Sequence, residues 1–332
     1  MVKLSEIRSA NTSLKSSRSR LTAVVVGGTN GIGRGFLSAL AAQSDSPKIY
    51  IVGRNPTTLS TIVSELQSLN RTGTYIPVPV ADLTLLADVE KATAQIVEKE
   101  PKLDLLFMSQ GYLSLGGRDE SVEGLDKLTT IRHYGRTLFI LNLLPLLNAA
   151  PSPRVVSVLG GGQEGPIFTD DLEFKDPKNY SLPKIAGASG TYVTLTLEQL
   201  QKRNPKISFV HAFPGLVKTN LINPEHWGPV ARFLINWVLL PTIGRFFFIS
   251  PEVSGERILY AASSPQFGAQ GTGDDLAVGS NGVRGSGAYT LNEKPEAVHN
   301  DKALKPLREE KSDVLIWEHT LEILERVLGR KF

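Results

Sequence analysis

Leu21-Thr22-Ala23-Val24-Val25-Val26-Gly27-Gly28-Thr29-Asn30-Gly31-Ile32-Gly33 is the stretch on which the fold turns. Its first half is a short run of apolar and β-branched residues, the pattern of a fully buried strand. It opens without a linker into a glycine-rich turn and then into the helix-period segment 32–43. Glycines at a strand-to-helix turn permit a tight bend and close approach of the backbone to a ligand, and the helix N-terminus behind them stabilises negative charge. A pyrophosphate is the group such a turn takes, so a dinucleotide is expected at Gly27, Thr29, Asn30, Gly31, Ile32 and Gly33.

Outward from this turn, strand-like runs at 21–26, 49–52, 75–80, 103–108, 154–159 and 207–213 alternate with helical segments at 32–43, 56–69, 83–99, 124–147 and 191–202. The alternation predicts an α/β fold built on a doubly wound parallel sheet, the Rossmann arrangement. No internal repeat or low-complexity linker interrupts it. One domain is therefore expected over 21–290, with an N-terminal extension at 1–20 and a C-terminal helical extension at 291–332 packed on the same domain. Segment 222–249, carrying Trp227, Phe233, Trp237, Phe246, Phe247 and Phe248, is expected to form an aromatic-rich lid. A helix over 251–262 and a long amphipathic helix over 301–328 complete the prediction.

Several functions are excluded by composition. The 36 basic and 33 acidic residues are interspersed, so no electrostatic footprint for nucleic acid exists. With no cysteine there is no disulfide, thiolate metal site or thiol nucleophile. His133, His211, His226, His299 and His319 lack ligand spacing, so no metal site is expected, and no Gly-x-Ser-x-Gly elbow supports a hydrolase. Residues 1–20 are Ser- and Arg-rich with one acid, Glu6; they read either as a transit-peptide composition or, through Leu4, Ile7 and Leu14, as a short packing helix. The apolar stretch 233–249 is broken by Pro241, Gly244 and Arg245 and predicts no transmembrane span. A cytoplasmic protein is expected, with peripheral membrane contact through 222–249 as an open alternative.

The second predicted strand ends in Ile51-Val52-Gly53-Arg54-Asn55, where a reader of the adenosine ribose should stand. Gly53 offers no carboxylate to a 2′-hydroxyl, while Arg54 offers a guanidinium to a 2′-phosphate. NADP(H) is the cofactor this predicts; the alternative leaves Arg54 a solvated surface residue.

The spacing Gly27-x-x-x-Gly31-x-Gly33 resembles that of the short-chain dehydrogenase/reductase superfamily, and so do Ala81-Asp82-Leu83-Thr84 and Pro214-Gly215-Leu216-Val217-Lys218-Thr219. The resemblance runs over most of 21–290. It implies that Asp82 and Leu83 meet the adenine, that Gln110 and Gly111 follow the fourth strand beside the cofactor, and that Pro214, Gly215, Val217 and Thr219 line the nicotinamide side. The family's Asn-Asn-Ala-Gly appears here as Met108-Ser109-Gln110-Gly111, keeping only the glycine.

In that family a Tyr and a Lys four apart on one helix, with a Ser and an Asn, carry the chemistry. Tyr180-Ser181-Leu182-Pro183-Lys184 fits the letters, but Pro183 disfavours a helical turn carrying both side chains. Registration through Ala186-Gly187-Ala188-Ser189-Gly190-Thr191 instead puts Ala186 in the Tyr position and Gly190 in the Lys position, with Gly160 for the Ser and Arg132 for the Asn. Phe168-Thr169-Asp170-Asp171-Leu172 before Tyr180 resembles the retinol-dehydrogenase branch, in which an ancillary Tyr precedes the catalytic one. A degenerate tetrad is thus expected, with a working Tyr180/Lys184 pair as the alternative.

The substitute candidates are Arg132, as an oxyanion-binding cation, and Tyr134, as a proton donor if Arg132 lowers its pKa. Arg136 and Gln163 stand near them. The bland reading makes Arg132 and Arg136 a solvated or salt-bridged helix face and His133 a structural residue. Chains of this pattern also resemble oxidoreductase-type proteins of fungal specialised metabolism. The function this implies is atypical NADPH-dependent oxidation or reduction of a bulky apolar small molecule; the alternatives are a non-redox isomerase, dehydratase or cyclase, and a nucleotide-binding protein without turnover.

Overall fold

Strands and helices alternate through the computed structural model, which describes residues 2–17, 20–114, 116–218 and 248–332. The strands are β1 (Thr22–Val26), β2 (Lys48–Gly53), β3 (Thr74–Pro79), β4 (Leu105–Met108), β5 (Arg154–Val158), β6 (Ser208–Ala212), β7 (Ala288–Leu291) and β8 (Ala297–Val298). They form one sheet in the order β3-β2-β1-β4-β5-β6-β7-β8, parallel except for the antiparallel β7–β8 pair. The chain runs outward from β1 to β3 and then returns to β4 on the other side of β1. That reversal is a switch point, and it opens a crevice beyond the carboxyl ends of β1 and β4.

The described helices are α1 (Leu4–Thr12), α2 (Leu14–Ser17), α3 (Gly31–Gln43), α4 (Pro56–Leu69), α5 (Leu86–Val97), α6 (Lys127–Thr129), α7 (Gly135–Asn148), α8 (Leu182–Arg203), α9 (Pro251–Ser263), α10 (Asp301–Glu309) and α11 (Ser312–Leu328). Both faces of the sheet are covered, as an unbroken apolar strand requires. Along β1 alternate side chains enter different cores: Val24 and Val26 join Leu86, Leu138 and Trp317 on one face, while Ala23 and Val25 join Phe36, Leu40 and Leu259 on the other. Phe36 of α3 stacks on Phe107 of β4 with ring centroids 4.0 Å apart.

The sheet is larger than the sequence predicts. β7 crosses the expected boundary at 290 and β8 lies within the C-terminal extension, so that segment supplies an edge strand as well as helices. The helix expected over 301–328 is two helices, because Lys311 takes a left-handed conformation (φ 60°) between α10 and α11. α8 begins at Leu182, earlier than expected, with Pro183 in its first turn, where a missing N–H removes no helix bond. At the N-terminus α1 packs on α9: Ile7 is buried, Arg8 pairs with Glu256 at 3.0 Å, and Asn11 donates to the Glu256 carbonyl. Of the expected lid only Phe248 and Ile249 are among the described residues. No helix among the described residues is long and apolar enough to cross a membrane.

Candidate active site

β1 passes into α3 through Gly27 (φ +84°), and α3 starts at Gly31 (φ +51°) with Asn30 as its N-cap. A Cβ on Gly27 would stand 2.6 Å from the Gln110 nitrogen, and one on Gly33 would stand 2.2 Å from the Gly27 carbonyl oxygen and 2.7 Å from Ser109 Oγ. Only hydrogen fits at either place, so the turn lies directly against the chain that follows β4. A Cβ on Gly111 would meet nothing within 4 Å. The space at Gly111 is thus open, and at the start of α3 Asn30 Oδ1 accepts the Gly31 N–H at 2.7 Å. Half-buried Thr29 and Ile32 border the turn.

The remaining expected cofactor residues follow β2, β3 and β6, at the same edge of the parallel sheet. A Cβ on Gly53 would stand 2.7 Å from Thr29 Cγ2 and 3.1 Å from Leu59 Cδ2, so any side chain here would have to displace the Thr29 methyl. Arg54 beside it is exposed, with no hydrogen bond or ion pair among the described residues. Asp82 Oδ1 accepts the Thr84 N–H and hydroxyl, both at 2.8 Å, and Leu83 is buried. Beyond β6, Pro214 leads to Gly215 (φ +73°), and Val217 bridges Ile249: the Ile249 N–H donates to the Leu216 carbonyl and the Lys218 N–H to the Ile249 carbonyl. Thr219 lies outside the described residues.

Arg136 has a role that the sequence did not reveal. It is 2% exposed, and from α7 its guanidinium donates to the Met108 and Gln110 carbonyls at 3.3 and 2.6 Å and to Ser157 Oγ at 2.6 Å. One planar fork thus ties the end of β4 to β5. Burial and the nearby Arg132 charge push its pKa down to about 9, still charged near neutrality. Arg132 too is buried, at 4% exposure. The expectation of a solvated or salt-bridged face for these two residues is wrong, because their helix is covered on both sides.

At the tetrad positions small residues let backbone approach backbone: a Cβ on Gly160 would meet only ordinary contacts, with Gln163 Cβ at 3.8 Å and Gly190 Cα at 4.0 Å, while the Gly190 position is tighter. A Cβ on Gly190 would lie 3.3 Å from the Gly160 carbonyl oxygen and 3.6 Å from Glu164 Cα. Gly165 and Gly187 also meet backbone to backbone, with the Gly165 N–H donating to the Gly187 carbonyl at 3.0 Å. Thr191 Oγ1 donates to the Gly165 carbonyl at 2.6 Å. The turn 160–165 is therefore seated on α8 where side chains from the Ser and Lys positions would meet. Ala186 presents only a methyl, and Gln163 is exposed.

Beneath the turn, the Gly160 N–H donates to His211 Nε2 at 3.0 Å, and Thr194 Oγ1 lies 2.7 Å from both His211 Nδ1 and Glu164 Oε1. Because Nε2 accepts, the ring proton sits on Nδ1 and goes to Thr194, whose hydroxyl donates to Glu164. Burial and the Arg136 charge hold this histidine neutral, with its pKa lowered to about 3. This network carried no sequence signal, since its three members are distant along the chain.

The structure does not bring Tyr180 and Lys184 together. Tyr180 precedes the helix and donates to Asp126 Oδ1 at 2.8 Å; burial and this bond raise its pKa well above that of an ordinary phenol. Lys184 donates to the Lys178 carbonyl and lies 5.5 Å from the Phe168 ring centroid. Tyr134 differs from expectation as well. It is 1% exposed, bonded to His319 Nε2 at 3.1 Å, and burial raises its pKa, so no neighbouring cation makes it a ready proton donor. His133, beside it, is buried against Thr320 and Tyr192. Arg132 shares the π-helical turn Thr130–Tyr134 with both and donates through Nη2 to the Tyr112 carbonyl at 3.1 Å.

Residues 21–169 match the family model described as short chain dehydrogenase. The chain is 40% identical to Oxidoreductase AN1596 of Emericella nidulans over 99% of this chain and 100% of that one. It is 30% identical to the short-chain dehydrogenase/reductase SAT2 of Stachybotrys chartarum over 98% of each. Among solved structures, the NADPH-bound carbonyl reductase from chicken fatty liver superposes with a TM-score of 0.55 at 16% identity, covering 85% of this chain and 100% of that one, a likeness of fold. The chain belongs to the short-chain dehydrogenase/reductase family of oxidoreductases.

Proposed function

We propose that the protein is an NADP(H)-dependent oxidoreductase of atypical mechanism, acting on a bulky, mainly apolar small molecule in specialised metabolism. One combination supports this reading above the others: an intact glycine turn at Gly27, Gly33 and Gly111, next to tetrad positions that hold Gly160, Ala186 and Gly190 and so carry no Ser, Tyr or Lys side chain. The turn fits a dinucleotide, since Gly27 and Gly33 let it pack directly on the chain after β4 below the first amides of α3, the space at Gly111 is open, and Gln110 Oε1 is buried without a partner among the described residues. Gly53 and the free Arg54 favour a 2′-phosphate over a bare ribose. Bound in this cleft, the dinucleotide supplies or receives a hydride.

The protein's part is to hold the reactants and exclude water. Arg136 fixes the carbonyls of Met108 and Gln110, and so the path of the chain at Gly111. A Tyr–Lys proton relay has no support in the geometry, and Arg132 is the charged group left at the substrate side. The test is a fluorescence titration with NADPH and NADH, followed by NADPH absorbance during conversion of a substrate. Preference for NADPH with stoichiometric loss of absorbance is expected. The absence of tetrad side chains also favours a second reading, non-redox isomerisation or dehydration, for which conversion would proceed without that loss.

A further inference from the structure

We propose that Arg132 is the substrate-binding cation of this cleft and takes an oxyanion of the small molecule, a carboxylate or a stabilised enolate. The proposal rests on the cleft reading above and names the substrate's chemical class. Arg132 is 96% buried by its 4% exposure, yet its only hydrogen bond among the described residues goes from Nη2 to the Tyr112 carbonyl. Its other donors have no protein partner there. A guanidinium carries five donors, and burying such a charge without a counter-ion is expensive.

The carboxylate closest in its electrostatic surroundings, Asp126, is already committed. Its Oδ2 accepts the Thr129 N–H and hydroxyl at 2.8 and 2.7 Å, and its Oδ1 accepts the Tyr180 hydroxyl at 2.8 Å and the Asp119 N–H at 3.3 Å. It forms no ion pair with Arg132. Arg136, equally buried, adds a second positive charge and has only carbonyl and hydroxyl partners. Asp126 thus acts on Arg132 only through space, and neither guanidinium is hydrogen-bonded to a carboxylate among the described residues.

Position agrees with charge. Arg132 is anchored to Tyr112, the residue after Gly111, whose missing Cβ faces open space. It stands in a π-helical turn, which displaces a side chain from the regular helical face. A planar fork in such a place matches two oxygens of one carboxylate, or the oxygens of an enolised 1,3-dicarbonyl.

The experiment is calorimetric titration of the full chain, saturated with NADP+, using benzoate and its neutral isostere benzamide. Benzoate should bind wild type at least about tenfold more tightly than benzamide. R132Q should make the two equal, and R132K should keep part of the preference. Acetylacetone, titrated above and below its ionisation, separates the sources: tighter binding of the anion assigns an enolate, and binding of benzoate alone assigns a carboxylate. Equal affinity of wild type for benzoate and benzamide, absence of binding by every anion, or a preference surviving in R132Q would overturn the proposal. The wild-type comparison stands even if R132Q fails to fold. NADP+ affinity measured on the same samples shows separately whether the nucleotide reading has failed.

Discussion

Acidification should destabilise this protein well before its carboxylates titrate, because two histidines are locked in the neutral form. His211 accepts the Gly160 N–H at Nε2, so a proton there would set two donors against each other. His133 faces Thr320, whose hydroxyl already donates to the Ile316 carbonyl, and its Nδ1 is buried without a partner. Burial lowers both pKa values to about 3, with the His319 charge adding to the effect at His133 and the Arg136 charge at His211. In the unfolded chain each returns to about 6.5. Between the two values the unfolded state binds more protons, so stability rises with pH and is lost as pH falls below about 6.5.

From about pH 7 to about pH 5 each histidine should remove about 2 kcal/mol, and the pair about 4 kcal/mol. Any folded-state pKa below about 4 gives nearly this loss, since the unfolded state then does all the titrating in that interval. Urea denaturation of wild type, His133→Gln and His211→Gln at the two pH values measures it. Each variant should reduce the loss by about half. A wild-type change under about 1 kcal/mol, or unaltered slopes in the variants, would refute the locked-neutral assignment.

Other expectations concern the site. Arg54→Glu should weaken NADPH by about tenfold or more and leave NADH nearly unchanged in a fluorescence titration, the effect being moderated by Arg54's exposure. Gly33→Ala, whose methyl would meet the Gly27 carbonyl, should abolish binding of both dinucleotides by the same assay. Tyr180→Phe and Lys184→Ala should leave single-turnover rates within a few-fold, against the roughly 10²–10⁴-fold loss expected for a general acid. Ala186→Tyr with Gly190→Lys should not create ketone reductase activity in a steady-state assay, because Gly160 still supplies no hydroxyl, and crowding of the Gly190 position against the Gly160 carbonyl should cost roughly 1–3 kcal/mol in urea melts.

The nucleotide half of the molecule was legible because each signal is local. Val24 to Gly33 encode strand, turn and helix within one short window, and Pro56 with Asn55 marks the start of α4. β7 was hidden because Ala288–Leu291 is four residues long and follows a glycine- and serine-rich run. Pro183 was misjudged: proline is costly within a helix but suits the first turn, so α8 starts before it while Tyr180 still falls outside. The role of Arg136 depends on strand ends that converge only in the fold. The same is true of Tyr134, whose helix is packed under α11, contributed by the far end of the chain.

The central claim, a dinucleotide held by the glycine turn without a Tyr–Lys relay, is tested most directly by a crystal structure with NADPH. The pyrophosphate should lie on the amides at the start of α3, with the 2′-phosphate at Arg54 and the nicotinamide opening toward Arg132. Neither the Tyr180 hydroxyl nor the Lys184 ammonium should come within about 3 Å of a carbonyl oxygen positioned for hydride transfer. A nucleotide bound elsewhere, or Tyr180 and Lys184 swung together over the nicotinamide, would contradict the account.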